Sequence, residues 1–173
     1  ISAARLDDLE CVYTSMQAFL AAGAGEHINM LCVFDNEEVG SGSRQGADST
    51  LMEDVIARIG HAFGANAQQI RAALASSFMV SADNAHALHP NHPEKYDAVN
   101  RPLMNRGIVI KFSANQKYTT DGMSNAVFVS ICERAGVPVQ VFHNRSDSVG
   151  GSTLGNISTA AALSAVRQFP GSD

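Results

Sequence analysis

The sequence has few cysteines, and none stands in a pattern that binds metal or builds a disulfide framework. The three are Cys11, Cys32 and Cys132, and they are too widely spaced for a CxxC pair. Disulfide-rich secreted domains and zinc knuckles need denser and more regular cysteines. The scarcity therefore excludes both classes and favours a reducing compartment, so we expect a cytoplasmic protein.

Long hydrophobic runs and an excess of basic charge are also missing. No stretch approaches the ~18 consecutive apolar residues of a transmembrane helix, so no membrane partner is expected. The 12 Lys and Arg residues against 17 Asp and Glu give a net charge of -5. Nucleic-acid-binding domains usually carry a basic stripe, so no nucleic-acid partner is expected. Charged residues make up only 17% of the chain, which indicates a well-buried sheet or a surface hidden in an assembly.

What the sequence does contain is an alternation of helical and strand-like patterns. Apolar spacings of three and four predict helices over residues 6–22, 49–62, 67–76, 121–135 and 156–168. Short apolar runs predict strands over residues 28–34, 78–80, 108–112 and 139–142. The proline-containing residues 83–106 and the Gly/Ser-rich residues 144–155 read as loops. Such an alternation predicts an α/β fold with a mostly parallel central sheet.

An acidic stretch, FDNEEVGS over residues 34–41, directly follows one predicted strand. Ligands of open α/β sheets bind beyond the carboxyl ends of the strands, which is where these carboxylates are expected. Adjacent carboxylates repel each other unless a cation is near, so a metal is a natural partner. Glu37 and Glu38 point apart, so one could ligate a metal while the other handles a proton. The alternative is a solvated acidic turn.

A second polar stretch, SADNAHALHPN over residues 81–91, also follows a predicted strand. Asp83 is a plausible hard ligand there, although an Asx-turn or a helix cap is its alternative role. His86 is a candidate ligand or substrate contact, and a lone histidine is more often neither. His89 and His92 have a metal-like spacing, but the adjacent prolines favour a plain loop.

Two further features have strong structural alternatives. Asp7 and Asp8 stand at a predicted helix start, where carboxylates interact favourably with the helix dipole. Residues 150–155 form a glycine loop that could present backbone N–H groups to an anion, but it is not a Walker A loop. No HExxH motif is present, so metal ligands would be dispersed along the chain, as in two-metal aminopeptidases.

Taken together, these stretches resemble the aspartyl aminopeptidases, a family of two-zinc metallopeptidases. The matching segments are residues 4–9 (ARLDDL), 34–41, 81–91, 107–118 and 144–155. The resemblance implies a three-layer α/β/α, zinc-peptidase-like fold of which this chain would be an incomplete part. It also implies a hydrolase that releases N-terminal Asp or Glu from peptides and works as a homo-oligomer.

The resemblance also assigns roles to single residues. Asp7 falls on the aspartate that bridges two zinc ions, Glu38 on the ligand of one zinc and Asp83 on the ligand of the other. Glu37 falls on the catalytic base. The positions that line the substrate pocket are His86, Lys111 and Tyr118, and the positive charge of Lys111 suits an acidic substrate side chain.

The chain departs from the family pattern in several places. Two zinc-binding histidines, the terminal segments and the dimerisation domain of the family have no counterpart in residues 1–173, and the start at Ile1 suggests a fragment or a processed product. Imidazole is a favoured zinc ligand, so we expect weak zinc binding and little activity from this chain alone. The alternatives are a non-catalytic oligomerisation or peptide-binding module, and a two-zinc aminopeptidase of broader specificity.

Overall fold

The computed structural model describes residues 3–114, 117–145 and 147. These residues form two compact units, one that contains residues 3–84 and one that begins at Ala85. The elements, in chain order, are α1 (Leu6–Ala22), α2 (Leu51–Ala62), α3 (Ala67–Ala75), β1 (Ile108–Phe112), α4 (Gly122–Ala135) and β2 (Val139–His143). No helix in these ranges has both the length and the apolarity that a membrane span requires.

The core of the first unit lies where α2 and α3 pack together. Ala65 and Ile70 are buried there, and partly buried apolar side chains surround them: Ile28, Ile56, Ala73 and Leu74. Helix α3 begins with a capping box, in which Asn66 accepts a hydrogen bond from the Gln69 backbone at 3.0 Å. The Gln69 side chain in turn accepts from the Asn66 backbone at 2.8 Å. These reciprocal bonds satisfy two donors at the helix start and thereby define its first residue.

The second unit contains a parallel β–α–β arrangement. Strand β1 pairs with β2 in the register Ile108↔Val139 to Phe112↔His143, and α4 connects them. Helix α4 begins at a capping box, in which Asp121 accepts from the Ser124 backbone at 2.8 Å. A side chain at Gly107 would place its Cβ 2.1 Å from the Pro138 carbonyl oxygen, so only glycine allows the two strands to start side by side.

The long loop predicted over residues 83–106 is confirmed, and it contains one short 3-10 turn, Pro93–Lys95. Leu88 donates its backbone N–H to the Pro102 carbonyl at 2.8 Å. Gln140 of β2 accepts from the Leu103 backbone at 2.8 Å and donates back to its carbonyl at 3.0 Å. Strand β2 therefore holds the end of the loop in place.

The predicted helices at residues 6–22, 49–62, 67–76 and 121–135 are confirmed as α1 to α4, with ends that shift by no more than two residues. The predicted strands at 108–112 and 139–142 are confirmed as β1 and β2. The helix predicted over 156–168 and nearly all of the 144–155 loop lie outside the described residues.

Two strand predictions were wrong. In the part of the chain that the structure describes, residues 28–34 form no strand, and residues 78–80 contribute only a single bridge at Phe78. An apolar run predicts burial, but a strand also needs a neighbour for its backbone hydrogen bonds. Several of these side chains are solvent-exposed, among them Met30, Val33 and Val80. The helices and the short parallel sheet agree with the expected α/β class.

Candidate metal centre

Three aspartates meet in the first unit. Asp7, Asp8 and Asp83 each offer a carboxylate oxygen, and these oxygens all lie within 4.8 Å of one another. Asp7 and Asp83 are two of the predicted metal ligands, and the structure brings them together across a long separation in sequence. We call these three residues the aspartate cluster.

The backbone at the start of α1 presents two of these carboxylates. Asp7 (φ -82°, ψ 111°) and Asp8 (φ -118°, ψ 24°) depart from helical geometry, and the peptide bond between them is cis. The residue before the helix, Arg5, makes no side-chain capping bond. The dihedrals at Asp7 and Asp8 therefore differ from those of an ordinary first helical turn, and both carboxylates lie beside that of Asp83.

Asn84 links the third aspartate to the same helix. Its side-chain nitrogen donates to the Leu6 carbonyl oxygen at 3.2 Å, and its side-chain oxygen accepts from the Cys11 thiol at 3.4 Å. Leu6 immediately precedes Asp7, and Cys11 lies on the next turn of α1. The segment that carries Asp83 is thus hydrogen-bonded to α1 on both sides of the other two aspartates.

The electrostatics of the aspartate cluster favour a cation. Three carboxylates this close repel one another when ionised, and a positive ion between them would relieve that repulsion. The negative field also reaches Cys11: burial, a hydrogen bond with Asp8 and the nearby carboxylates raise the pKa of its thiol to about 12. Carboxylate oxygens are accepted zinc ligands, so the donor set on Asp7 and Asp83 fits zinc.

Glu37 and Glu38 lie on an exposed loop in the same unit. They begin a 3-10 turn, Glu37–Val39, between Asn36 and Gly40, which both have positive φ. Asn36 donates its side-chain N–H to the Ser43 hydroxyl at 2.7 Å, which braces the loop. Consecutive residues of a 3-10 turn point about 120° apart, as expected for two glutamates with different tasks. Glu38 is not a member of the aspartate cluster among the residues described.

The second unit brings two of the predicted substrate residues together. The Lys111 ammonium nitrogen of β1 lies 5.8 Å from the centroid of the Tyr118 ring, within the range of a cation–π contact. The Tyr118 ring meets Phe142 of β2 edge-on, with centroids 6.4 Å apart. His86 is exposed in the loop that opens this unit, and His89 and His92 also lie in that loop.

Sequence reasoning missed three contributors to these sites. Asp8 was expected only to cap a helix, and neither Cys11 nor Asn84 had an expected role in a site. The adjacency of Asp8 to Asp7 and of Asn84 to Asp83 was the only available signal. Their contacts connect residues that lie far apart in the chain, so they become visible only in the folded unit.

The chain is similar to known zinc metalloproteases. The family model for the aminopeptidase I zinc metalloproteases (M18) matches residues 1–164. A probable M18 family aminopeptidase 2 of Clostridium acetobutylicum is 50% identical over 157 residues, which are 91% of this chain and 36% of that protein. A probable aspartyl aminopeptidase of Ricinus communis is 41% identical over 164 residues, 91% of this chain and 33% of that protein.

The fold has solved counterparts as well. The S. cerevisiae mApe1 dodecamer structure contains a chain with a TM-score of 0.73 and 29% sequence identity, over 94% of this chain and 37% of that one. The present chain therefore spans about a third of the length of these relatives. The expected resemblance to a zinc metallo-aminopeptidase family is confirmed, and with it the enzyme class and the metal of that family. The chain belongs to the M18 family of aminopeptidase I zinc metalloproteases.

Proposed function

We propose that this chain is part of the catalytic domain of a two-zinc aminopeptidase that releases N-terminal Asp or Glu from peptides. The observation that carries the proposal is the meeting of Asp7 and Asp83 within 4.8 Å in a member of a zinc metalloprotease family. An acidic cluster alone would be weak support. Here two of the three clustered residues, Asp7 and Asp83, are ones that the motif resemblance assigns to the metal.

In this proposal the chain supplies carboxylate ligands. Asp7 would be shared by two zinc ions, with Asp83 on one of them and Glu38 on the other. Zinc, when bound, acts as a Lewis acid that polarises the scissile carbonyl and makes the attacking water more acidic.

Glu37 serves as the general base. It takes the proton from the attacking water and later delivers the same proton to the nitrogen of the leaving amine, so that Glu37 ends the reaction ionised again. Its loop, braced by the bond between Asn36 and Ser43, limits the freedom of the carboxylate before substrate arrives. A base that is held in place loses less entropy on reaching the transition state.

Lys111, Tyr118 and His86 form the substrate-binding group. A substrate with an acidic first residue gains a charge-assisted hydrogen bond with the Lys111 ammonium, which a leucine substrate cannot make. The name of the Ricinus communis relative supports acidic specificity. The name of the Clostridium acetobutylicum relative states no residue preference, which keeps an aminopeptidase of broader specificity as the second candidate.

The setting of the protein is also part of the proposal. Similarity to a chain of the mApe1 dodecamer supports a homo-oligomer. The three cysteines are free thiols, which suits the reducing cytoplasm. We extend the observed parallel β–α–β arrangement to the three-layer α/β/α fold of the zinc peptidases, whose catalytic domain this chain would help to form.

The test is a zinc titration of the full-length protein and its Asp83→Asn variant, with hydrolysis of peptides that begin with Asp, Glu or Leu. We expect two zinc ions per wild-type subunit, one in the variant, and little hydrolysis by the variant. Glu53→Gln, which removes an exposed carboxylate of α2, is the matched control and should behave as wild type. Unchanged zinc content in Asp83→Asn would refute the proposed centre.

A further inference from the structure

We propose that Asn84, together with Cys11, is a positioning residue that sets the spacing between Asp7 and Asp83. The inference rests on the proposed function, because the spacing between Asp7 and Asp83 matters for function only if these residues bind metal. Asn84 touches neither substrate nor metal in this scheme. It acts through the aspartates that precede and face it.

The contacts of Asn84 surround the aspartate cluster. Its side-chain nitrogen reaches the Leu6 carbonyl at 3.2 Å, just before Asp7 in the chain. Its side-chain oxygen receives the Cys11 thiol at 3.4 Å, one helical turn beyond Asp7. Both bonds join segments that are more than 70 residues apart, at separations of 78 and 73. One side chain thus fastens the Asp83 segment to α1 at two points.

The aspartate cluster needs such a fastening for two reasons. Its carboxylates repel one another when ionised, so their segments tend to separate when no cation is bound. In addition, Asp7 and Asp8 do not have helical dihedrals, so the regular part of α1 does not impose their positions. Residues that hold metal ligands in place determine how much of the binding free energy is lost to reorganisation.

The amide of Asn84 can donate one hydrogen bond and accept another, and both of its contacts need this. The Leu6 carbonyl can only accept a hydrogen bond, and the thiol donates one, so residue 84 must offer a donor and an acceptor at once. An aspartate has the same shape but no donor when ionised, and it would add a fourth negative charge beside the cluster. A serine at position 11 keeps a donor, whereas an alanine removes it.

The experiment measures the zinc dissociation constant of the full-length protein by competition with a chelator, together with the melting temperature of the zinc-free protein. The variants are Asn84→Ala, Asn84→Asp, Cys11→Ala and Cys11→Ser. Asn29→Ala is the matched control, because Asn29 also donates to a backbone carbonyl in this unit, that of Gly23 at 3.3 Å. Asp83→Asn is measured in parallel to test the metal centre itself.

We expect zinc affinity to fall about 10- to 100-fold in Asn84→Ala and Asn84→Asp, the usual cost of losing a group that orients a metal ligand. Cys11→Ala should weaken binding and Cys11→Ser should restore it. The control should keep wild-type affinity, and zinc in excess should recover kcat in Asn84→Ala. A purely structural role would instead lower the melting temperature of the zinc-free protein and leave the affinity of the folded fraction unchanged.

The outcomes separate the two proposals. If Asp83→Asn loses one of the two zinc ions while the zinc affinity of Asn84→Ala stays within twofold of wild type, the positioning role is overturned and the metal centre stands. If Asp83→Asn leaves binding unchanged, the metal centre itself is wrong. Should Asn84→Ala fail to fold, equal zinc affinities in Cys11→Ala and Cys11→Ser overturn the positioning role.

Discussion

The Lys111 ammonium nitrogen lies 5.8 Å from the centroid of the Tyr118 ring, and Phe142 supports that ring edge-on from the neighbouring strand. Lys111 is the fourth of the five residues of β1, and its backbone is held by pairing opposite Phe142 of β2. The aromatic ring and the sheet together limit where the charge of Lys111 can be. A positioned cation is what selection of an acidic substrate requires.

The first prediction concerns specificity. In the full-length protein, Lys111→Ala should lower kcat/KM for Asp and Glu substrates by about 10- to 100-fold, the value of a hydrogen bond to a charged group. Leucine substrates should change far less. Lys95→Ala, which removes an exposed lysine from the 3-10 turn Pro93–Lys95, is the control. Equal losses on acidic and leucine substrates would contradict the role of Lys111 and favour the broader-specificity enzyme.

The second prediction separates the adjacent glutamates. Glu37→Gln should lower kcat by roughly 10²- to 10⁴-fold, the typical contribution of a general base, while zinc content stays at the wild-type level. Glu38→Gln should instead lose zinc. Kinetics and metal analysis on the same preparations make the comparison, and each variant controls for disturbance of the shared turn. The assignment fails if Glu37→Gln loses metal or if Glu38→Gln keeps it.

The third prediction follows from the raised pKa of Cys11. Its thiol has a pKa of about 12 in the folded protein against an ordinary value of 9.0. Because the folded pKa is the higher one, the protonated thiol favours folding below about pH 9.0, and this contribution disappears as the pH rises from there through about 12. Stability of the wild type should therefore fall between pH 9 and 11 more steeply than that of Cys11→Ser.

The same pKa predicts low reactivity of the Cys11 thiol, since the thiolate is the nucleophile. Iodoacetamide at pH 8.5 should leave Cys11 unmodified in the native protein and modify it in urea, as measured by peptide mass spectrometry. The urea sample is the control for access to the peptide. Rapid alkylation of Cys11 in the native protein would show that burial and the neighbouring carboxylates do not disfavour its thiolate.

How much of this could be read from the sequence depends on whether a feature is local. Helix α4 and strands β1 and β2 could be predicted from the spacing of apolar residues and from the glycine and proline residues at the ends of their own segments. Residues 28–34 were mispredicted because apolarity carries no information about a pairing partner. The roles proposed for Asp7 and Asp83 come from motif resemblance. The Asn84 contacts with Leu6 and Cys11 were out of reach, since no spacing rule connects residues that far apart.

The fourth prediction concerns Arg145, which ties the long loop to the end of β2. Its guanidinium binds the Asp147 carboxylate through two nitrogens, at 2.9 and 2.6 Å, and donates to the Glu94 carbonyl oxygen. These bonds from Arg145 hold the pKa of Asp147 below its usual range. The contact should therefore persist at neutral pH and be lost on acidification, as the pH falls through that lowered pKa.

Removal of this tie should loosen the loop without unfolding the unit. In Arg145→Ala, backbone amide exchange in the turn Pro93–Lys95 and at Tyr96 should quicken, while α4 keeps its protection. Arg145→Lys should restore the slow amide exchange of the turn only in part, because lysine keeps the charge but cannot make the paired hydrogen bonds to Asp147. Unchanged exchange at the turn in Arg145→Ala would show that the loop is held by its other contacts alone.

The last prediction tests the β–α–β arrangement through its tightest backbone contact. Gly107 has φ +106°, and a Cβ there would lie 2.1 Å from the Pro138 carbonyl oxygen, the atom that also accepts the Ile108 N–H at 2.9 Å. Gly107→Ala must push the starts of β1 and β2 apart, so we expect a destabilisation of about 2–4 kcal/mol in urea unfolding. Gly122→Ala is the matched control, since a Cβ at that position in α4 meets nothing within 4 Å and φ there is not positive. A Gly107→Ala protein as stable as Gly122→Ala would contradict the register of β1 and β2, and with it the placement of Lys111 opposite Phe142.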